Sequence, residues 1–192
     1  MPRPPVSRLT ADDWAGAALD AIGRGGLAAV AVEPLAARLG ATKGSFYWHF
    51  ANRDALVAAA LRRWEDGHTE AVIRFVDAEP DPRARIRLLL ATVLTSTDHD
   101  PVEVAVLASA AHPLVAPALA RVSRRRLDYT AQLFRDLGFP AAEAHRRGLL
   151  AFTAYLGHAQ LAHATPALVP RGRADRQRYI DEVVALLTAP AA

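Results

Sequence analysis

Apolar residues recur at helical spacing almost throughout this chain, and nowhere does an apolar/polar alternation of period two persist. That pattern restricts the fold to packed helices, and proline and glycine mark where the helices end. Trp14, Ala17, Ala18, Ala21 and Ile22 form one stripe, with Thr10 as a hydroxyl cap ahead of Asp12 and Asp13, and with Gly23, Gly25 and Gly26 behind it. Two short helices follow near 32–39 and 43–50, Pro34 being tolerable only in a first turn. Asn52 caps a helix running from 53 to about 77. Prolines at 80, 82, 101, 113, 117, 140, 166 and 170 then bound helices near 83–97, 102–111, 113–138, 140–164 and 173–188. The expectation is an all-α chain of about nine helices with no strand.

Composition narrows the class. Of 192 residues, 52% are hydrophobic, enough for a sizeable core. Cysteine is absent, which excludes disulfides, thiolate metal sites and a cysteine nucleophile. The first eight residues lack the apolar segment of an export signal, and no apolar run approaches the roughly 18 residues that span a bilayer, so a cytoplasmic protein with no membrane contact is expected. Charge is unevenly placed. Residues 1–63 hold eight Lys or Arg against five acids, and residues 64–192 hold fifteen of each. A basic N-terminal module on a neutral body suits a nucleic-acid reader joined to a part with a second task.

The segment from Val32 to Phe50 has the residues that a helix-turn-helix requires. Ala36 is small where the second helix must cross the first, Gly40 supplies the turn with a cheap positive φ, and Leu35, Leu39 and Phe46 form the seam. Thr42 can cap the second helix. That helix presents Lys43, Ser45, Tyr47, Trp48 and His49 outward without an acid among them, a face suited to phosphates and base edges.

Leu35-Ala-Ala-Arg-Leu-Gly-Ala-Thr-Lys-Gly-Ser-Phe-Tyr-Trp-His-Phe50, with Ala51-Asn-Arg-Asp-Ala-Leu56 after it, resembles the DNA-binding signature of TetR-type transcriptional regulators, a likeness running over roughly residues 10–57. The resemblance implies that the helix enters the major groove of operator DNA, with contacts from Thr42, Lys43, Ser45, Tyr47, Trp48 and His49 and a phosphate contact from Arg53. It also implies a division into an arm and reader at 1–52 and a helical ligand-sensing and dimerisation domain at 53–192, linked by the helix 53–77. Two positions depart from the pattern: Ala31 stands where a capping Thr or Ser is usual, and Ala41 replaces a larger aliphatic in the turn.

In the larger part, Trp64, His68, Phe75, Leu94, Leu107, His112, Phe134, Phe152 and Tyr155 are candidates for the lining of a small-molecule effector pocket. Gly148, Phe152, Tyr155, Gly157, Tyr179, Val183, Leu186 and Leu187 are candidates for a homodimer interface on the last two helices. The run Arg124-Arg-Arg126 reads as a solvated helix face, residues 98–100 (Asp-His-Asp) as a capping loop, and Arg3 and Arg8 as an arm. No Ser-His-Asp set, paired carboxylates, glycine-rich phosphate loop or metal-ligand spacing is found, so no enzyme, cofactor or metal is expected. The leading expectation is a ligand-responsive repressor of the TetR type. An activator, or a helical interaction module without DNA binding, are the alternatives.

Overall fold

The structure, a computed structural model, describes residues 9–96 and 101–190. The arm with Arg3 and Arg8 and the loop cluster at 98–100 lie outside the described residues. The helices are α1 (Ala11–Gly25), α2 (Val32–Leu39), α3 (Lys43–His49), α4 (Arg53–Glu65), α5 (Ala71–Asp77), α6 (Pro82–Ser96), α7 (Val102–Ala108), α8 (Val115–Asp136), α9 (Ala141–Ala164) and α10 (Arg173–Thr188). A π-helical turn, Asp66–Glu70, fuses α4 and α5 into one rod, so the described residues form nine helical rods and no strand.

The N-terminal cap of α1 is a full capping box: the Asp13 backbone N–H donates to the Thr10 hydroxyl at 3.2 Å, and the Thr10 N–H donates to the Asp13 carboxylate at 2.7 Å. The stripe expected on α1 is buried, with Trp14, Ala18 and Ile22 wholly out of water. Around it lie Leu35 and Ala36 of α2, Phe46 of α3, and Leu56, Val57, Leu61 and Trp64 of α4. This first core does not stop at residue 52. Val102 and Val106 of α7 and Val115, Ala118 and Val122 of α8 belong to it, and the Val102 side chain comes within 3.0 Å of where a Cβ on Gly23 would lie. The helices that follow the reader are therefore packed into its core.

A second core joins α5, α6, α8, α9 and α10 through Ile73, Val76, Ile86, Leu90, Leu94, Leu133, Phe134, Ala151 and Ile180. Its outer edges are tied by charge. Arg87 of α6 pairs with Asp181 of α10 at 2.7 Å, and Arg147 of α9 donates to the Leu187 carbonyl at 2.6 Å, satisfying the last turn of α10.

Two joints differ from expectation. The helix expected over 102–111 ends at Ala108, and the chain then makes successive turns until Val115. Pro113 is the reason, since a residue preceding proline is driven out of helical geometry. The rod 53–77 is not regular: in its middle the Ala71 N–H bonds to the Asp66 carbonyl five residues back.

The two longest helices, α8 and α9, meet at Gly148. A Cβ there would lie 2.9 Å from the Ala131 backbone nitrogen and 3.1 Å from its Cα. Gly148, expected at a partner interface, instead seats α9 on α8 of its own chain. Gly148→Ala must force the two backbones apart and should destabilise the protein by about 1–3 kcal/mol. A thermal unfolding scan checks this as a lowered Tm; an unchanged Tm would mean that the helices do not approach so closely.

Candidate nucleic-acid interface and internal pocket

The reader's turn is built as its residues dictate. Gly40 sits at φ 63° and ψ 28°, the left-handed region, and the N–H of Ala41 bonds back to the Ala36 carbonyl at 2.8 Å. Thr42 caps α3 by accepting from the Ser45 N–H at 3.2 Å. Ala31, by contrast, offers α2 no side-chain cap. Phe46 fixes the rotation of α3. It is fully buried, edge-on to Trp14 with centroids 5.5 Å apart and stacked on Phe50 at 5.7 Å.

With Phe46 inward, Lys43, Tyr47, Trp48 and His49 are exposed and Ser45 is half-buried. Trp48 is 85% exposed and Tyr47 57%. Two large aromatic side chains left in water side by side at a helix surface form an apolar patch of the kind that marks a contact site.

The charge at this face is partly held in check. Lys43 Nζ donates to Glu33 of α2 at 2.8 Å. The hydrogen bond and the neighbouring charge hold the Lys43 ammonium above its ordinary pKa and the Glu33 carboxyl below its own. Arg53 is half-buried. Its Nε donates to the Val30 carbonyl at 2.7 Å and another guanidinium nitrogen to Leu27, so it ties the segment before α2 to the start of α4.

In the second core a cavity of about 50 Å³ opens between α5, α6, α8 and α9. His68, Phe152 and Tyr155 line it, as expected, together with Thr69, Val72, Ile73, Leu89, Leu90, Val93, Arg126, Tyr129, Thr130 and Ala151. The other candidates do not border it. Trp64 is fully buried in the first core, and Leu94 and Phe134 are core residues of the second. Phe75 is 55% exposed, while Leu107 and His112 flank the turns between α7 and α8, where His112 Nδ1 accepts from the Leu114 N–H. Of the interface candidates, Tyr179, Val183 and Leu187 pack against the second core, whereas Gly157 and Leu186 are exposed.

One wall of the cavity holds a group that sequence reasoning misplaced. Arg124 and Arg125 are exposed, but Arg126 points inward, its side chain 11% exposed, onto Glu103 of α7, which is 5% exposed. The pair is bidentate, at 2.7 and 3.1 Å. Trp64 Nε1 donates to the same carboxylate at 3.2 Å. Arg126 Nε donates to the Thr69 hydroxyl at 2.9 Å and a terminal nitrogen to the His68 carbonyl at 3.3 Å, both in the π turn. Burial works against the Arg126 charge, but Glu103 outweighs it and holds the guanidinium above its ordinary pKa. The signal was present: Arg126 lies in the stripe Val122, Tyr129, Thr130 and Leu133, all of them buried.

Among the described residues, no group of three or more His, Asp or Glu side chains is arranged to hold a metal ion. No helix among them is long and apolar enough to cross a membrane.

Residues 16–60 match the pattern of the bacterial regulatory proteins of the tetR family. No curated protein matches the sequence. Among solved structures, the chain is similar to a transcriptional regulator from a Rhodococcus species, at 22% identity and a TM-score of 0.76, over 93% of this chain and 96% of that one. It is similar to SmeT, the repressor of the Stenotrophomonas maltophilia multidrug efflux pump SmeDEF, at 21% identity and a TM-score of 0.69, over 94% and 89% of the two chains. It is also similar to FadR from Bacillus subtilis, solved in complex with stearoyl-CoA, at 12% identity and a TM-score of 0.68, over 94% and 98%. The helix-turn-helix thus lies inside the segment that matches the bacterial regulatory proteins of the tetR family, and the fold across the rest of the chain is shared with these transcriptional regulators.

Proposed function

We propose that the protein is a ligand-responsive repressor that binds operator DNA in the cytoplasm as a homodimer and is released when a small molecule occupies the pocket. The carrying observation is the outward face of α3. Lys43, Tyr47 and a nearly fully exposed Trp48 project from a helix whose opposite side is locked by Phe46. Thr42, Ser45 and His49 complete that face, and Arg53 braces its base while one guanidinium edge stays toward solvent and Asp54. Release follows from linkage: an effector that binds better to one spacing of the two recognition helices disfavours DNA by that same preference. SmeT, a repressor, and FadR, solved with a bound acyl-CoA, support this reading by their shared fold.

Fluorescence anisotropy on DNA from the protein's own upstream region, across a salt series, tests the reader. Wild type should bind one segment tightly and lose affinity steeply with salt. Lys43→Ala should weaken binding by about 1–3 kcal/mol, and Tyr47→Phe should weaken it by less. Glu33→Gln should do the reverse and tighten binding by roughly 2–5-fold, because Lys43 no longer has to leave a carboxylate to reach DNA. Weak, sequence-indifferent binding unmoved by all three changes would favour an interaction module instead.

Dimerisation is read from the outer face of α9, where Leu149, Leu150, Gly157 and Leu161 are exposed, and from Leu186, exposed on α10. Two recognition helices must reach major grooves about 34 Å apart, which one copy cannot do. Gly157→Arg should convert a dimer to a monomer by light scattering and weaken operator binding by at least ~100-fold, since the second half-site loses its tether. A dimer that survives this change would move the interface elsewhere.

A further inference from the structure

We propose that the pocket between α5, α6, α8 and α9 takes a compact, uncharged, largely apolar molecule and rejects anions and cations alike. This rests on the sensing role given above and names the chemistry of its effector. Most of the lining is aliphatic or aromatic: Val72, Ile73, Leu89, Leu90, Val93 and Phe152. An arginine in such a pocket would ordinarily point to an anionic ligand, but here its capacity is used inside the wall.

Both Glu103 oxygens take donors from Arg126, Thr69 takes Nε, and the His68 carbonyl takes a further N–H. Two rings flank the guanidinium as well, its Cζ lying 5.3 Å from the Trp64 centroid and 5.8 Å from that of Tyr155. Two neighbouring hydroxyls are committed too. Thr130 donates to the Arg126 carbonyl at 2.7 Å, and Tyr129 donates to Asp77 at 2.7 Å.

An anion that took both terminal nitrogens of Arg126 would displace Glu103 and leave a buried carboxylate without its countercharge. A cation would approach the same guanidinium with no carboxylate left to receive it. A neutral molecule displaces nothing. Size is limited as well. The cavity of about 50 Å³ is small, and Phe152 and Tyr155, half-buried and stacked with centroids 6.4 Å apart, must turn to admit even a single substituted ring.

Three para-substituted probes of one shape separate the possibilities by calorimetry at neutral pH: para-ethylphenol, para-ethylbenzoate and para-ethylbenzylammonium. On the full chain, the phenol should bind at least about tenfold more tightly than either ion, because each ion enters the site at a desolvation cost. Val93→Phe, which narrows the pocket from a half-buried position, should abolish phenol binding. Glu103→Gln should invert the order of phenol and benzoate by releasing the Arg126 charge, with the wild-type ranking and Val93→Phe deciding alone if that variant does not fold. Benzoate or ammonium binding as tightly as the phenol overturns the charge class and leaves the sensing role standing. Failure of all three to bind, or phenol binding indifferent to Val93→Phe, removes the pocket as a site and the sensing role with it.

Discussion

A guanidinium and a carboxylate taken out of water together are tolerable only while each keeps the other, and Arg126 and Glu103 are held in that condition by several segments at once. Removing one partner of such a pair costs about 3–5 kcal/mol, against a total stability on the order of 5–15 kcal/mol. The end of α4 reaches the pair through Trp64, the π turn through Thr69 and the His68 carbonyl, and α9 through the Tyr155 ring. Helices α7 and α8, which carry the two charges, cannot slide past each other without separating them. Val102, next to Glu103, packs at Gly23 of α1. The same short helix thus reaches both the Arg126 wall of the pocket and the α1 core of the reader.

The reader follows a simpler logic. Aromatic packing on one side of α3 decides what the other side can show. Phe46 lies against Trp14 and Phe50, and since α3 is only seven residues long, this single anchor sets the azimuth of every outward side chain. Thr42 and Gly40 then fix where the helix begins. The uncapped start of α2 at Ala31 is compensated by Arg53, which bonds the Leu27 and Val30 carbonyls and so steadies the approach to the motif from outside it.

Local rules made the reader legible before any coordinates. Capping at Thr10 and Thr42, a left-handed Gly40, the buried stripe of α1 and the proline joints each depend on residues within a few positions of one another. What stayed hidden depends on which distant segment faces which. Gly148 reads equally well as an interface residue or an internal contact until Ala131 is found opposite it. Phe134 and Leu94 read equally well as lining or core, and the packing of α8 against α6 makes them core. Arg126 reads as surface because it follows two solvated arginines. Only its period with Val122, Tyr129 and Leu133 betrayed it, and only Glu103, twenty-three positions upstream, explains why a charge is tolerated there.

The π turn at Asp66–Glu70 has a consequence for how such a chain can change over time. A π turn carries one more residue than the α-helical turn it replaces. Deleting a single residue there would restore a regular helix and rotate everything beyond it by roughly 100° about the rod axis. Thr69 and the His68 carbonyl would leave Arg126, and Val72 and Ile73 would turn away from the pocket. The helix-turn-helix is encoded before this turn, and the pocket wall by the turn itself and the chain after it. One codon gained or lost could therefore remodel the pocket of a lineage while its helix-turn-helix stays the same.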